Sequence, residues 1–260
     1  MHRVLFAVLS LCFFSHICIA RTIEINDIND TLSRSEEAQL LQVIKREIAF
    51  HEQYMPIPDQ LVVDIRLFRH QSAYMKYQHD VVGHHVSKTA YFSHIRNEIV
   101  LWEVPHFMSV LYHEMQHLIL ASVLGQNAPV WLNEGVSDYY TQAVLRGDKT
   151  YVAVHVAFTR KVMSLIEQKV LPNWEEFFGL SKTEWNQVNQ VRDGVTRALS
   201  WAVAYFLMSS RKGRDAIGAT MTKIYRDKNR QFLPVYPGGL EAFDRDFRRF
   251  FASPALYQEI

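Results

Sequence analysis

One stretch of the chain is too apolar for a surface helix, yet it contains polar groups in a regular pattern. From Phe107 to Val123, apolar residues surround the predicted helix on nearly every side, which indicates burial. The same stretch contains His113, Glu114 and His117, spaced as HExxH. Histidines four positions apart project from one face of a helix, so both imidazoles reach one cation. Because unpaired polar groups in a buried helix cost a few kcal/mol each, the pattern predicts a metal site.

A third ligand is expected from the segment WLNEG at positions 131–135. A catalytic zinc site has three protein ligands and one water. Glu134 follows His117 by 17 positions (134 − 117), enough for the first helix to end, for the chain to turn and for a second helix to return. We therefore predict that His113, His117 and Glu134 hold one zinc ion. Glu114 would then lie beside the open coordination position and act as the general base.

Two further side chains are expected to support these ligands. Asp138 follows Glu134 by one helical turn and lies on the same face, where it can accept the outer N–H of His113 or His117. Such carboxylates fix the tautomer of a ligating histidine. Asn133 directly precedes the third ligand and is the second of these supporting residues.

The combination of HExxH and WLNEG resembles the gluzincin metallopeptidases, especially the small bacterial peptidase-MA-like proteins. Residues 90–92 and 97–101 are similar to the segment that this family places just upstream of the zinc helix. In the family this segment is the edge strand that binds extended substrate, which implies that role for Asn97 and Ile99. Residues 200–207 are similar to a later family helix that packs behind the site.

The resemblance implies zinc-dependent hydrolysis of peptide bonds, with a peptide or a protein as substrate. An endopeptidase is favoured over an aminopeptidase, because no GxMEN-like segment precedes the HExxH motif. Family members often carry a tyrosine near the start of the later helix that stabilises the oxyanion, whereas the aligned position here holds Arg197. An arginine also donates to an oxyanion. A shifted alignment would select Tyr205, Tyr91 or His155 instead, so the donor stays open among these four.

Two other functions are compatible with the same residues. One is a binding protein that contains zinc without catalysing a reaction. The other is a zinc amide hydrolase that acts on cell-wall peptides. A purely structural zinc site has no use for a base beside an open position, so the presence of Glu114 favours an enzyme.

The amino terminus predicts export. His2 and Arg3 precede an apolar run that continues to Ala20, the layout of a secretory signal peptide spanning residues 1–20. Both cysteines, Cys12 and Cys18, lie in this segment, so the mature chain would contain no disulfide. We expect a periplasmic or secreted protein, or a membrane-anchored one if the signal is not cleaved. No later stretch is apolar for long enough to predict a membrane span.

The composition of the chain excludes some partners. Removal of the signal leaves 240 residues (260 − 20), enough for one domain with a sizeable core. Hydrophobic residues make up 48% of the chain, charged residues 21%, and the net charge is +1. These values are those of a globular protein and give no reason to expect nucleic acid or an anionic membrane as a partner.

The order of sequence patterns predicts an α+β fold. A capped helix is expected to begin after Ser33, and the chain is predicted to be mostly helical after Pro105. Branched and alternating residues predict strands at 61–68, 90–93 and 98–102. We therefore predict a single zincin-like domain. A small mixed sheet with helices forms its N-terminal lobe, about 21–125, and a mostly helical lobe follows, about 126–260.

Overall fold

The computed structural model describes residues 22–125, 128–147, 149–227 and 235–260. The predicted signal peptide, residues 1–20, lies outside the described residues. Within the described ranges, no helix combines the length and the apolar character needed to cross a membrane. The fold is α+β, as predicted from the sequence.

A mixed four-stranded sheet forms the N-terminal part of the described chain. Its strands are β1 (Thr22–Asp27), β2 (Gln60–Phe68), β3 (Ala90–Ser93) and β4 (Glu98–Trp102). Their spatial order is β1-β2-β4-β3. β1 and β2 are parallel, as are β2 and β4, whereas β3 is antiparallel to β4. The three predicted strands are confirmed, with β2 beginning one residue earlier than expected; β1 was not predicted.

The strand order corrects one prediction. β4 lies between β2 and β3, and its Ile99 is fully buried and aligned with Ile65 on one side and Phe92 on the other. Asn97 precedes this strand in a turn and has a φ of 53°. The expectation that Asn97 and Ile99 form the edge strand is therefore wrong. The apolar run of β4 suits a strand that is buried on both faces, and the edge on this side of the sheet is formed by β3.

Two helices accompany this sheet, α1 (Arg34–His51) and α2 (Gln71–Val82). The predicted start of α1 is confirmed as a capping box. Ser33 Oγ accepts a hydrogen bond from the Glu36 N–H, and the Glu36 carboxylate accepts one from the Ser33 N–H. α1 packs on the third helix, α3 (Phe107–Leu124), which leads into the second half of the fold.

The second half is mostly helical, as predicted. Its elements after α3 are the helices α4 (Val130–Tyr140), α5 (Val156–Glu167), α6 (Trp174–Gly179), α7 (Lys182–Val191), α8 (Val195–Met208), α9 (Arg211–Asp227) and α10 (Gly239–Phe251). It also contains an antiparallel sheet that was not predicted, of β5 (Ala143–Arg146), β6 (Lys149–Ala153) and β7 (Tyr257–Glu259).

Helix α8 is buried along most of its length and supports α4. The two helices approach very closely at Gly135, where an added Cβ would lie 2.3 Å from the carbonyl oxygen of Ser200. A larger residue at position 135 would push the helices apart, because side-chain carbons do not approach backbone oxygens to that distance. Gly135 therefore sets the depth at which α4, and Glu134 with it, lies in the fold.

Candidate metal centre

The three predicted ligands converge in the structure. His113 and His117 lie on α3, and Glu134 lies on α4. One ligand atom from each residue falls within 4.8 Å of the other two. His113 and Glu114 are almost fully buried, with 8% and 7% of their surface exposed. The buried helix α3 therefore presents these histidines to α4, which carries the carboxylate of Glu134.

The two histidine rings face each other through their Nε2 atoms. These atoms lie 3.0 Å apart, and the rings are perpendicular with centroids separated by 4.6 Å. Glu134 Oε2 lies 3.8 Å from His113 Nε2. The inner nitrogens and the carboxylate thus surround a common point.

The outer nitrogens of both histidines lie close to oxygen atoms of α4: His117 Nδ1 is hydrogen-bonded, and His113 Nδ1 lies in close contact with Asp138. His113 Nδ1 lies 3.1 Å from Asp138 Oδ1, the position predicted for this carboxylate. His117 Nδ1 lies 3.1 Å from Asn133 Oδ1 and 3.1 Å from Ser137 Oγ. An acceptor at Nδ1 selects the tautomer with the proton on that nitrogen. Both Nε2 atoms are then left with their lone pairs directed at the shared point.

This donor set fits a zinc ion. Two ring nitrogens that face each other at 3.0 Å can share either a proton or a metal ion. Zinc–nitrogen bonds of about 2.0 to 2.1 Å in a tetrahedral site separate two nitrogens by roughly 3.3 Å, close to the separation found here. Two imidazole nitrogens and one carboxylate oxygen are also the ligand types that zinc prefers. His113, His117 and Glu134 would hold the ion.

The charges around the site favour a cation. Burial by itself lowers the pKa of His113, but the hydrogen bond and charge of Asp138, with smaller contributions from Glu114 and Glu134, raise it above the ordinary value. The same carboxylate is paired with Arg197, whose Nε and Nη2 donate to its two oxygens at 2.7 and 2.6 Å. Burial would raise the pKa of Asp138, yet the hydrogen bonds from Arg197 and His113 hold it well below its usual range. Asp138 is therefore ionised and links the arginine to the metal centre.

Two cavities adjoin these residues. The first, of about 470 Å³, and the second, of about 440 Å³, share the lining residues His94, His117, Asn133, Glu134 and Lys182. The second cavity also follows the edge strand β3 and reaches the side chain of Glu114 and that of Arg197. The candidate metal centre is thus open to a ligand from a cleft bordered by a sheet edge.

The four candidate oxyanion donors occupy different environments. Arg197 lines the second cavity, as does Tyr91, whose buried hydroxyl has no hydrogen-bond partner within the described ranges. Tyr205 is fully buried, donates its hydroxyl proton to the Ala255 carbonyl and lines neither cavity, so this candidate is wrong. His155 also lines neither cavity. The structure brings Arg197 and Tyr91 to the cleft.

Sequence reasoning missed two residues of the site. Ser137 contacts His117 and lies three positions after Glu134, a spacing that places both on one helix face. Lys182 reaches the cleft from α7, far from the motif in sequence, and no local pattern marks it. The first residue was recoverable from helical spacing, and the second was not.

Comparison of the chain with models of protein families, with curated proteins and with solved structures finds no match. The chemistry of the cleft therefore has to be argued from its own residues.

Proposed function

We propose that this chain is a zinc-dependent metallopeptidase with a gluzincin-type ligand set, acting outside the cytoplasm after export through residues 1–20. The observation that carries the proposal is the convergence of His113, His117 and Glu134, whose ligand atoms lie within 4.8 Å of one another. Glu114 lies beside them on the wall of the second cavity. A structural metal site would gain nothing from a carboxylate at that position.

The ion and the neighbouring carboxylate have separate tasks. When bound, zinc supplies a Lewis acid that acidifies water and polarises a carbonyl group. Glu114 accepts one proton as the water oxygen attacks the carbonyl carbon of the scissile bond. It then delivers that proton to the nitrogen as the C–N bond breaks, so that a carboxylic acid and an amine leave the site.

Arg197 is the proposed donor to the oxyanion. Its Nε and Nη2 are engaged by Asp138, which fixes the plane of the guanidinium group while 45% of the side chain stays exposed. A fixed cationic donor stabilises developing negative charge without reorganising during the reaction. Asp138 thus orients two groups at once, the arginine and the ring of His113.

The sheet edge supports an extended peptide as the substrate. In the described part of the chain β3 has one neighbour, β4, so its other side offers backbone N–H and C=O groups. Residues 90–92 of this strand line the second cavity beside Glu114. A peptide that adds to β3 as another strand would run past the zinc centre. Main-chain pairing of this kind accepts many side chains.

The test uses the purified chain with casein and with isolated peptidoglycan, each with and without a chelator, together with elemental analysis of the protein. We expect about one zinc ion per chain and chelator-sensitive cleavage of casein. Cleavage of peptidoglycan alone would identify a cell-wall amide hydrolase. Bound zinc with no activity on either substrate would identify a binding protein, and a chain that takes up no zinc would overturn the proposal.

A further inference from the structure

The cleft contains a cation that has no anionic partner among the residues that the structure describes. Lys182 lies in the first turn of α7 and lines both cavities. Within the described ranges its ammonium group makes no hydrogen bond or ion pair. The guanidinium group of Arg197, the other strong cation of the cleft, is neutralised by Asp138. Lys182 is therefore a cation of the cleft whose charge no carboxylate of the described residues offsets.

Carboxylates are scarce on the cleft walls. Among the described residues that line the two cavities, the acidic ones are Glu114 and Glu134. Both belong to the proposed zinc centre, where the ion offsets their charge. Outside that centre the walls carry positive charge without a compensating negative one, an arrangement that favours an anionic ligand.

The first cavity has the shape and lining for such a ligand. Small and apolar residues make up much of its wall, namely Ala121, Gly125, Ala128, Pro129, Val130, Gly179 and Leu180. These residues bring no side-chain acceptor that would compete for the lysine. An aliphatic stem can pack against this wall while its polar end reaches Lys182 at the border with the second cavity.

We propose that the first cavity is a carboxylate-binding subsite in which Lys182 pairs with an acidic side chain or with the terminal carboxylate of a peptide. The inference rests on the proposed peptidase function and names its substrate class, peptides that carry a carboxylate close to the scissile bond. Both sources offer the same chemistry, a carboxylate within reach of one ammonium group.

The test measures peptide binding, which does not depend on turnover. Zinc-loaded Glu114→Gln protein is titrated with alanine-rich peptides that carry Glu, Gln or Lys at successive positions, followed by fluorescence anisotropy. We expect the best Glu peptide to bind about fivefold more tightly than its Gln counterpart, the gain typical of an ion pair with an exposed lysine. Added salt should reduce the difference.

Two lysine variants in the same background complete the design. Lys182→Glu should abolish the preference for Glu and favour the Lys peptide. Lys45→Glu makes the same change of charge on an exposed residue of α1 that lines neither cavity, and should preserve the preference. Peptides with a free or an amidated carboxyl terminus separate the two sources. If a peptide with a free carboxyl terminus binds more tightly than its amidated counterpart, whether it carries Glu or Gln, the terminal carboxylate is the ligand.

The outcomes separate this inference from the proposed function. When Lys182 is intact, equal binding of Glu and Gln peptides together with equal binding of free and amidated peptides overturns the subsite, as does no binding of any peptide. Cleavage of peptides without a charge preference likewise overturns the subsite and retains the peptidase. Carboxylate-dependent binding by a chain that keeps Glu114 yet cleaves no peptide retains the subsite and overturns the peptidase.

Discussion

Helix α3 lies between two sets of buried polar groups that differ in how they are partnered. On the side of α4, the outer nitrogens of His113 and His117 each lie 3.1 Å from an acceptor, and their inner nitrogens face a shared point. On the side of α1, His51 Nε2 lies 2.7 Å from Gln116 Nε2. Neither carboxylate oxygen of Glu47 has a partner in the described part of the chain.

The difference between these two sets lies in the charge that each one stabilises. Burial raises the pKa of Glu47 well above its ordinary value. Burial lowers the pKa of His51 to about 4, although the hydrogen bond with Gln116 opposes the shift. His51 is therefore neutral near pH 7 and burial favours the uncharged form of Glu47, whereas Asp138 on the other side is ionised and paired. One face of α3 is arranged to hold charge, and the opposite face excludes it.

The largest effect is expected when Glu114, the proposed general base, is replaced on the α4 side of α3. Glu114→Gln should lower kcat by about 10² to 10⁴-fold, the usual contribution of a general base, while the protein keeps its zinc. Peptide cleavage and elemental analysis measure the two quantities. Glu167→Gln, a matched change at an exposed position at the end of α5, should leave both unchanged. Full activity in Glu114→Gln would refute the assigned mechanism.

The next largest effect is expected for His51, on the α1 side of α3, in the pH dependence of the unfolding free energy. His51 takes up a proton below pH 6.5 in the unfolded chain but only below about 4 in the folded protein. Its stabilising contribution is thus complete above pH 6.5 and is lost as the pH falls towards 4, by up to about 3 kcal/mol of unfolding free energy. His51→Gln should remove this part of the pH dependence, measured by urea denaturation at several pH values.

The control for that experiment is His85→Gln, because His85 is exposed. Its unfolding free energy should follow the wild-type curve. If the curves for His51→Gln and the wild type are parallel between pH 4 and 6.5, His51 is not held neutral by burial.

A smaller effect is expected from the acceptor of His117. Asn133→Ala removes the oxygen 3.1 Å from His117 Nδ1 and should weaken zinc binding by about 10 to 100-fold, as loss of such partners does in other zinc sites. Competition with a chromogenic chelator measures the affinity. Zinc affinity equal to that of the wild type would show that the tautomer of His117 is fixed by another group.

The smallest effect is expected from Ser137→Ala, about fivefold or less in zinc affinity, because Asn133 still accepts from the same nitrogen. The double variant should lose more than the sum of the two single changes, since each acceptor replaces the other in part. Strict additivity would mean that the two acceptors act independently.

Features set by local spacing could be predicted from the sequence. The positions of His113, His117 and Asp138 follow from helical periodicity once the helices are assigned. The position of Glu134 required one further assumption, that the following helix packs back against α3. Features set by pairing between distant segments could not. The order of β4 and β3, which decides the sheet edge, depends on which strand meets β2.

Two other features also depend on contacts between distant segments and could not be predicted from local sequence patterns. β7 pairs Tyr257 with Ala153, more than one hundred positions apart, and three residues are too few to give a strand pattern. Tyr205 lies on a helix that is apolar on most sides, so the sequence does not say which side meets the cleft. In the structure its hydroxyl reaches Ala255 instead.

The contact between Gly135 and Ser200 limits how this chain can vary. A methyl group at position 135 would lie 2.3 Å from the Ser200 carbonyl oxygen, so even alanine forces α4 outward and carries the adjacent carboxylate away from the imidazoles. If position 135 were randomised and variants were selected only for correct folding, glycine would be enriched at this position without any selection for function. The invariance of that position among functional variants would then report helix packing, although it neighbours a residue of the candidate metal centre.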